Sequence, residues 1–229
     1  MNEISQASEL AGFFPFWDKL SQPMKEQLIR HVSVRKYPAK TAIYQGRQNC
    51  LGLLLIRSGQ IRAYIMTEEG RELTLYRLFS GDICLFSASC VFNSIQFDIF
   101  LTAEQDTEVL HIPPDIYREC IEQSAPAALY TNELMASGFS EVMWVLEQVL
   151  SKKMDARLAA FLIEESALEE TDDLTLTHEQ IANHLGSARE VMTRMLKYFQ
   201  SEGLVRLTRG HVELTDVPGL TRLAKDSLR

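Results

Sequence analysis

No stretch of this chain is apolar for long enough to span a bilayer. Outside the N-terminal segment the most apolar run covers residues 51–56, far below the ~20 residues a crossing helix needs. The N-terminus also lacks the basic residues of a secretory leader. It reads "MNEISQASELAGFFPFWDKL", with Glu3 where a cation would stand and Pro15 breaking the apolar run. An amphipathic opening segment is expected there, with no targeting signal and no membrane partner. Cysteine is scarce: Cys50, Cys84, Cys90 and Cys120 are the four. In a chain without a leader they are expected as reduced thiols in a bacterial cytoplasm. Positive charge is short as well. A net charge of −8 argues against non-specific coating of nucleic acid and leaves only a local basic patch open. Nucleophile elbow, phosphate-binding loop and metal-ligand spacing are missing, so an enzyme built on Cys84 or Cys90 with a histidine is not expected.

What is present suits two modest domains in 229 residues. From Val34 to about Pro113, short β-type runs at 51–56, 61–66 and 73–79 alternate with the turn dipeptides Ser58-Gly59, Glu69-Gly70 and Ser80-Gly81. Glu68-Glu69-Gly70-Arg71 marks a hairpin. Strands at this spacing predict a small barrel or roll. After "IPPD" (112–115) the period becomes helical, with Met135, Phe139, Val142, Leu146 and Val149 on one stripe and Leu134, Gly138 and Val145 on a second. A helix apolar on two sides buries one against its own domain, and a second copy across a two-fold axis is the expected cover for the other. Lys152 and Lys153 are read as ending that helix, and Asp155 as the N-cap of a short one after it. The acid-rich residues 164–173 read as a solvated loop.

The segment "THEQIANHLGSAREVMTRMLKYFQSEG" carries the most information. Thr177 and Gln180 match a capping box, Ile181, Ala182 and Leu185 a buried face, and Gly186 a left-handed helix end. Residues 187–190 read as a second capping box. Two capped helices on so tight a turn predict a helix-turn-helix. In the second helix Met192, Met195, Leu196 and Phe199 point inward, leaving Arg189, Glu190, Thr193, Arg194 and Lys197 outward. Arginine can pair with guanine O6/N7 and glutamate can accept from cytosine N4, while Thr193 and Lys197 suit phosphates. "LVRLTRGHVELTD" then predicts a two-stranded wing with Arg209 at its tip. Between Ser187 and Gly210 five cations face two anions, a local +3. Taken alone, Glu190 and Arg194 would equally be an i,i+4 helix pair. His178 and His184 are expected at the surface or on the phosphate side.

These residues resemble the CRP/FNR family of bacterial transcription regulators. "GSAREVMTRMLKYFQSEGLV" is similar to the family's recognition helix, and "IYQG", "LLLIRSGQIRAY" and "TEEGRELTLYRLFSGD" to its N-terminal β-roll. The resemblance implies an α+β chain: a double-stranded β-helix, or cyclic-nucleotide-binding-like jelly roll (1–114), a dimerisation helix and linker (115–153), and a winged helix-turn-helix (154–229). It implies a homodimer on double-stranded DNA with half-sites ~34–36 Å apart, and contact with RNA polymerase. Base contacts are carried over to Arg189, Glu190 and Arg194, and with Ser187, Ala188, Thr193, Lys197 and Arg209 these are the residues expected at the DNA. Ala188 and Val191 stand where members often carry hydroxyls. The alternative is a ligand-binding or interaction module whose winged helix meets protein.

The same resemblance places a small-molecule effector in the roll, with sensor candidates Gly81, Asp82, Cys84 and Cys90. Cyclic-nucleotide binders of the family use a Glu after the Gly and later an Arg–Ser/Thr pair. This chain has Gly81-Asp82 and Phe97-Asp98-Ile99, and no Arg over residues 78–117. A phosphate beside Asp98 would be poorly compensated, so cyclic AMP is not the expected effector. The first 49 residues hold no cysteine, which does not support an N-terminal iron–sulfur cluster. Cys84 and Cys90 offer soft ligands or a thiol switch, or simply core packing. Five scattered histidines give no haem signature, and haem or metal stays open. The effector is left unidentified.

Overall fold

A computed structural model describes residues 3–45, 51–85, 98–225 and 227. They form two compact units, residues 1–65 with 75–141 and residues 66–74 with 142–229. The first opens with α1 (Glu3–Phe13), a single 3-10 turn and α2 (Gln22–His31), which Ser21 caps by accepting from the Met24 N–H. Strands β1 (Ser33–Tyr37), β2 (Ala42–Gln45), β3 (Leu53–Ser58), β4 (Ile61–Met66), β5 (Glu72–Leu78), β6 (Ile83–Cys84), β7 (Phe100–Ala103) and β8 (Thr107–Ile112) follow. They make two four-stranded sheets, β1-β8-β3-β6 and β2-β7-β4-β5.

The unbroken apolar run at 53–56 belongs to a strand covered on both faces, and all four of its side chains are buried. Alternation sends Leu53 and Leu55 to a layer with Leu10, Leu28 and Tyr117, and Leu54 and Ile56 into the roll with Ile61, Leu101 and Val109. The hairpin expected at Glu68–Arg71 is present: Gly70 N–H donates to Thr67 O at 2.9 Å and Thr67 N–H to Arg71 O at 2.8 Å.

Helices α3 (Pro114–Gln123) and α4 (Ala125–Ser151) complete the path between the units. The first apolar stripe expected on α4 is divided between exposed and packed positions. Phe139, Met143, Leu146 and Leu150 stand exposed, with Val149 beside them, whereas Met135 packs with Leu134 and Tyr130 against the helical layer and Val142 is half-buried. Two apolar frames lie side by side on this helix, and docking chooses between them. The buried Tyr117–Thr131 hydroxyl pair, at 2.8 Å, is one of the contacts that set the rotation.

The second unit contains α5 (Met154–Glu169), β9 (Asp173–Leu174), α6 (His178–Leu185), α7 (Arg189–Ser201), β10 (Val205–Thr208), β11 (His211–Leu214) and α8 (Val217–Ala224). Its core joins Leu158, Leu162, Ile181, Met192, Leu196, Phe199, Val212 and Leu220. Two expectations need correcting. Lys153, not Asp155, is the N-cap of α5, and the Asp155 carboxylate merely accepts from the next amide at 2.8 Å. The acid-rich stretch is a loop only at 170–172, because α5 runs through Glu169 before Glu170 turns left-handed, and Asp173 and Leu174 join the wing sheet as its third strand. Glutamate, alanine and leucine are good helix formers, and the buried face of α5 extends to Glu165, inside the acid-rich stretch.

His111, on β8, is buried, with Nδ1 3.3 Å from Ser33 Oγ and Nε2 on the Leu51 carbonyl. Burial depresses its pKa, the Leu51 bond opposes that, and Arg35 adds to it. The unfolded chain therefore takes the proton first as the pH falls. The stability that neutral His111 confers is complete above the ordinary histidine range and is lost as the pH drops through that range toward the folded value. Denaturant midpoints are expected to fall on acidification from neutrality, and more steeply in the wild type than in His111→Gln; equal slopes would refute the assignment.

Candidate nucleic-acid interface

The sequence builds α6 from its ends. The Thr177 hydroxyl accepts from Gln180 N–H at 3.2 Å, and Gln180 Oε1 accepts from Thr177 N–H at 2.8 Å, completing the capping box. At the other end Gly186 is left-handed (φ 67°), and the amides of Gly186 and Ser187 both return to the Ala182 carbonyl. Arg157, buried on α5, donates from Nη2 to the Leu185 carbonyl at 2.8 Å. No carboxylate pairs with that guanidinium among the described residues, and burial lowers its pKa.

The second capping box does not form. The N-cap of α7 is Ala188, extended at φ −85° and ψ 144°, and it has no side chain to offer. Gly186 and Ser187 are committed to ending α6, which moves the start of α7 one residue beyond the only local hydroxyl.

Inward on α7 are Met192, Leu196 and Phe199, fully buried, with Met195 partly so. Arg189, Glu190, Arg194 and Lys197 are exposed. Glu190 and Arg194 make no ion pair among the described residues, so helix-pair stabilisation does not account for them. Arg189, 66% exposed, lies 3.9 Å from Glu179 on α6, a solvent-screened contact of little energetic weight. Thr193 is half-buried, and its Oγ1 sits 2.9 Å from His178 Nδ1.

The wing pairs Val205 with Leu214 and Leu207 with Val212, as expected, and leaves Arg209 exposed at its turn. Arg206 does not add to the basic face, because Glu213, opposite it in the register, takes it in an ion pair at 2.6 Å.

His184 is half-buried. Nδ1 lies 3.1 Å from Thr74 Oγ1, and the ring packs 5.1 Å from Phe161. Beside it Leu73 bridges to Leu185 as an antiparallel pair, and a Cβ at Gly186 would come within 3.0 Å of Leu73 Cδ1. Residues 73 and 74 thus brace the turn, which no local pattern around them signals.

The sensor candidates are placed as follows. Gly81 and Asp82 form the turn after β5, where Asp82 Oδ2 accepts from Phe79 N–H at 2.8 Å and the Asp82 carbonyl accepts from Ile56 N–H at 2.9 Å. Cys84 is fully buried in the roll core with Leu54, Ile56 and Ile99. Cys90 lies outside the described residues. Among the described residues no three His, Cys, Asp or Glu side chains gather as a metal site.

A two-sheet roll, a long helix and a winged helix-turn-helix in one chain define a class of transcription regulator in which a sensor-like domain precedes a DNA-binding-type domain. Residues 34–124 match the family model of the cyclic nucleotide-binding domain, and residues 156–223 that of the Crp-like helix-turn-helix domain. A solved transcriptional regulator of the crp/fnr family from Eubacterium rectale is 50% identical with a TM-score of 0.91, covering 93% of this chain and 99% of that one. Transcriptional regulator SdrP of Thermus thermophilus is 27% identical over 180 residues, 74% of this chain and 82% of that protein. The anaerobic regulatory protein of Haemophilus influenzae is 26% identical over 205 residues, 85% and 78% respectively. The chain belongs to the CRP/FNR family.

The turn yields two stability predictions of opposite sign. Ala188→Ser supplies the missing cap and should stabilise the second unit by ~0.5–2 kcal/mol. Gly186→Ala forces an L side chain into the left-handed region against Leu73 and should destabilise by ~1–2 kcal/mol. Thermal unfolding of both variants reads the two shifts directly.

Proposed function

We propose that this regulator is a homodimer that reads a palindromic operator with α7 in the major groove. The observation that carries this reading is the outward face of α7. Arg189, Glu190, Arg194 and Lys197 project from a turn fixed on three sides, and Glu190 and Arg194 are not spent on each other. Exposed polar tips on a rigid element are what base-edge recognition requires. Arg189, Arg194 and Glu190 take the base contacts. Lys197 and the wing's Arg209 take phosphates, and Ser187 and Ala188 bring the turn backbone close to the duplex. Thr193 is reassigned from a free phosphate contact to the partner of His178.

A second copy of the chain is the partner for α4. Phe139 is 66% exposed and Leu150 75%, in line with Met143 and Leu146. A seam of large apolar side chains at 4-3-4 spacing matches the knobs of a two-stranded coiled coil. Two-fold pairing along it would present two recognition helices to half-sites one helical turn apart.

The roll takes a small-molecule effector other than a cyclic nucleotide phosphate, since residues 78–117 supply no Arg to neutralise one. The switch acts through α4 by setting the spacing of the recognition helices, and the output is contact with RNA polymerase. No helix of the described residues is long and apolar enough to cross a membrane; the proposed site of action, with the duplex, is the cytoplasm.

Selection from a randomised duplex library should return a palindrome, bound with an affinity that falls steeply as salt rises. Arg189→Ala should lose ~1–3 kcal/mol of discrimination at one base pair per half-site while its unfolding profile stays unchanged. Phe139→Lys with Leu146→Lys should yield monomers in sedimentation and abolish operator binding. Salt-insensitive association with no sequence preference would refute the reading.

A further inference from the structure

Thr193 and His178 come from different helices and hold each other. His178 is the first residue of α6, its ring half-buried, with Nδ1 2.9 Å from the Thr193 hydroxyl on α7. A hydroxyl donates to a neutral Nδ1 and accepts from a protonated one, so this pair survives either charge state of the ring. The charged groups facing the ring are Arg189 and Lys197, both on α7, and Glu179 beside it on α6 is turned to Arg189 at 3.9 Å. Arg189 and Lys197, one turn to either side of Thr193 on α7, thus share with the imidazole the face where the proposed reading brings in the sugar-phosphate backbone.

Resting on that reading, we infer that His178 is a proton-linked contact to a duplex phosphate. When the backbone reaches His178, Arg189 and Lys197, each protomer draws one proton from solvent onto the imidazole, Nδ1–H donates to Thr193, and Nε2–H donates to a phosphate oxygen.

The charge balance gives the direction. In the free protein, burial first and then Arg189 and Lys197 hold the His178 pKa below its ordinary value, so the ring is neutral near pH 7. A phosphate anion offsets both cations and favours the imidazolium. A site that binds a proton better in the complex makes binding tighter as the pH falls from the bound value to the free one, with nothing further gained below both. His178 therefore adds acid-enhanced operator affinity to the arginine and lysine contacts of the proposed interface.

The test uses the full-length protein and its selected operator at constant ionic strength. Between about pH 8 and about pH 6 the wild-type Kd is expected to tighten at least about fivefold more than that of His178→Gln, whose amide keeps a hydrogen bond to Thr193. His178→Arg, a cation without a titration in this range, should bind tightly with a flat profile. Proton NMR of the His178 ring should show its pKa raised by the operator. Parallel pH profiles for wild type and His178→Gln on a tightly bound operator would overturn the proton linkage and leave DNA reading intact. A pKa rise reproduced in full by inorganic phosphate would also overturn it, by showing a general anion effect. Failure to select any operator would instead remove the reading on which the inference rests.

Discussion

The guanidinium of Arg157 governs where α7 points. It reaches from the interior of α5 to the carbonyl that ends α6, at 2.8 Å, and has no acid to neutralise it among the described residues. A buried cation held by a carbonyl at the negative pole of a helix is tolerable because both ends of that contact are otherwise poorly satisfied. With the α6 terminus so pinned, the left-handed Gly186 and the two amides returning to Ala182 leave the chain one course into α7. Leu73 and Thr74 close the turn from the other side. The direction of each outward side chain on α7 follows from these contacts.

Charge is sorted on this framework more than it is accumulated. A protein with a net charge of −8 cannot depend on long-range attraction to a polyanion, so the useful cations must be local and uncommitted. Arg206 is taken by Glu213 across the wing, whereas Arg194, Lys197 and Arg209 are left to solvent. Arg189 is held only at the edge of salt-bridge distance by Glu179. An exposed pair of that kind is worth little in water and is readily exchanged for a better partner. Of the acids gathered at the end of α5, Glu164, Glu165 and Glu169 lie on the helix and Asp173 on a wing strand.

In the first unit the same economy of surface appears as apolar packing. Strand β3 serves two cores, one inside the roll and one beneath the helices, and Cys84 belongs wholly to the first. Its thiol has no exposed surface. The opposite condition holds along α4, whose exposed Phe139, Met143, Leu146 and Leu150 are too large and too regularly spaced to be left to water singly.

Much of this was legible along the chain because it is local. Short apolar runs between turn dipeptides marked the strands, Thr177 with Gln180 marked the start of α6, Gly186 its end, and Val205, Leu207, Val212 and Leu214 the wing. These features depend on residues within a turn or a hairpin of one another, where backbone geometry leaves few choices. The absent cap at Ala188, the helical path of the acid-rich stretch, the outward frame of α4, the Thr193–His178 pair and the bracing by Leu73 were not legible. Each depends on how elements dock. Docking is settled by side-chain shape and by the satisfaction of buried polar groups between residues as far apart as Thr74 and His184, and no local period records it.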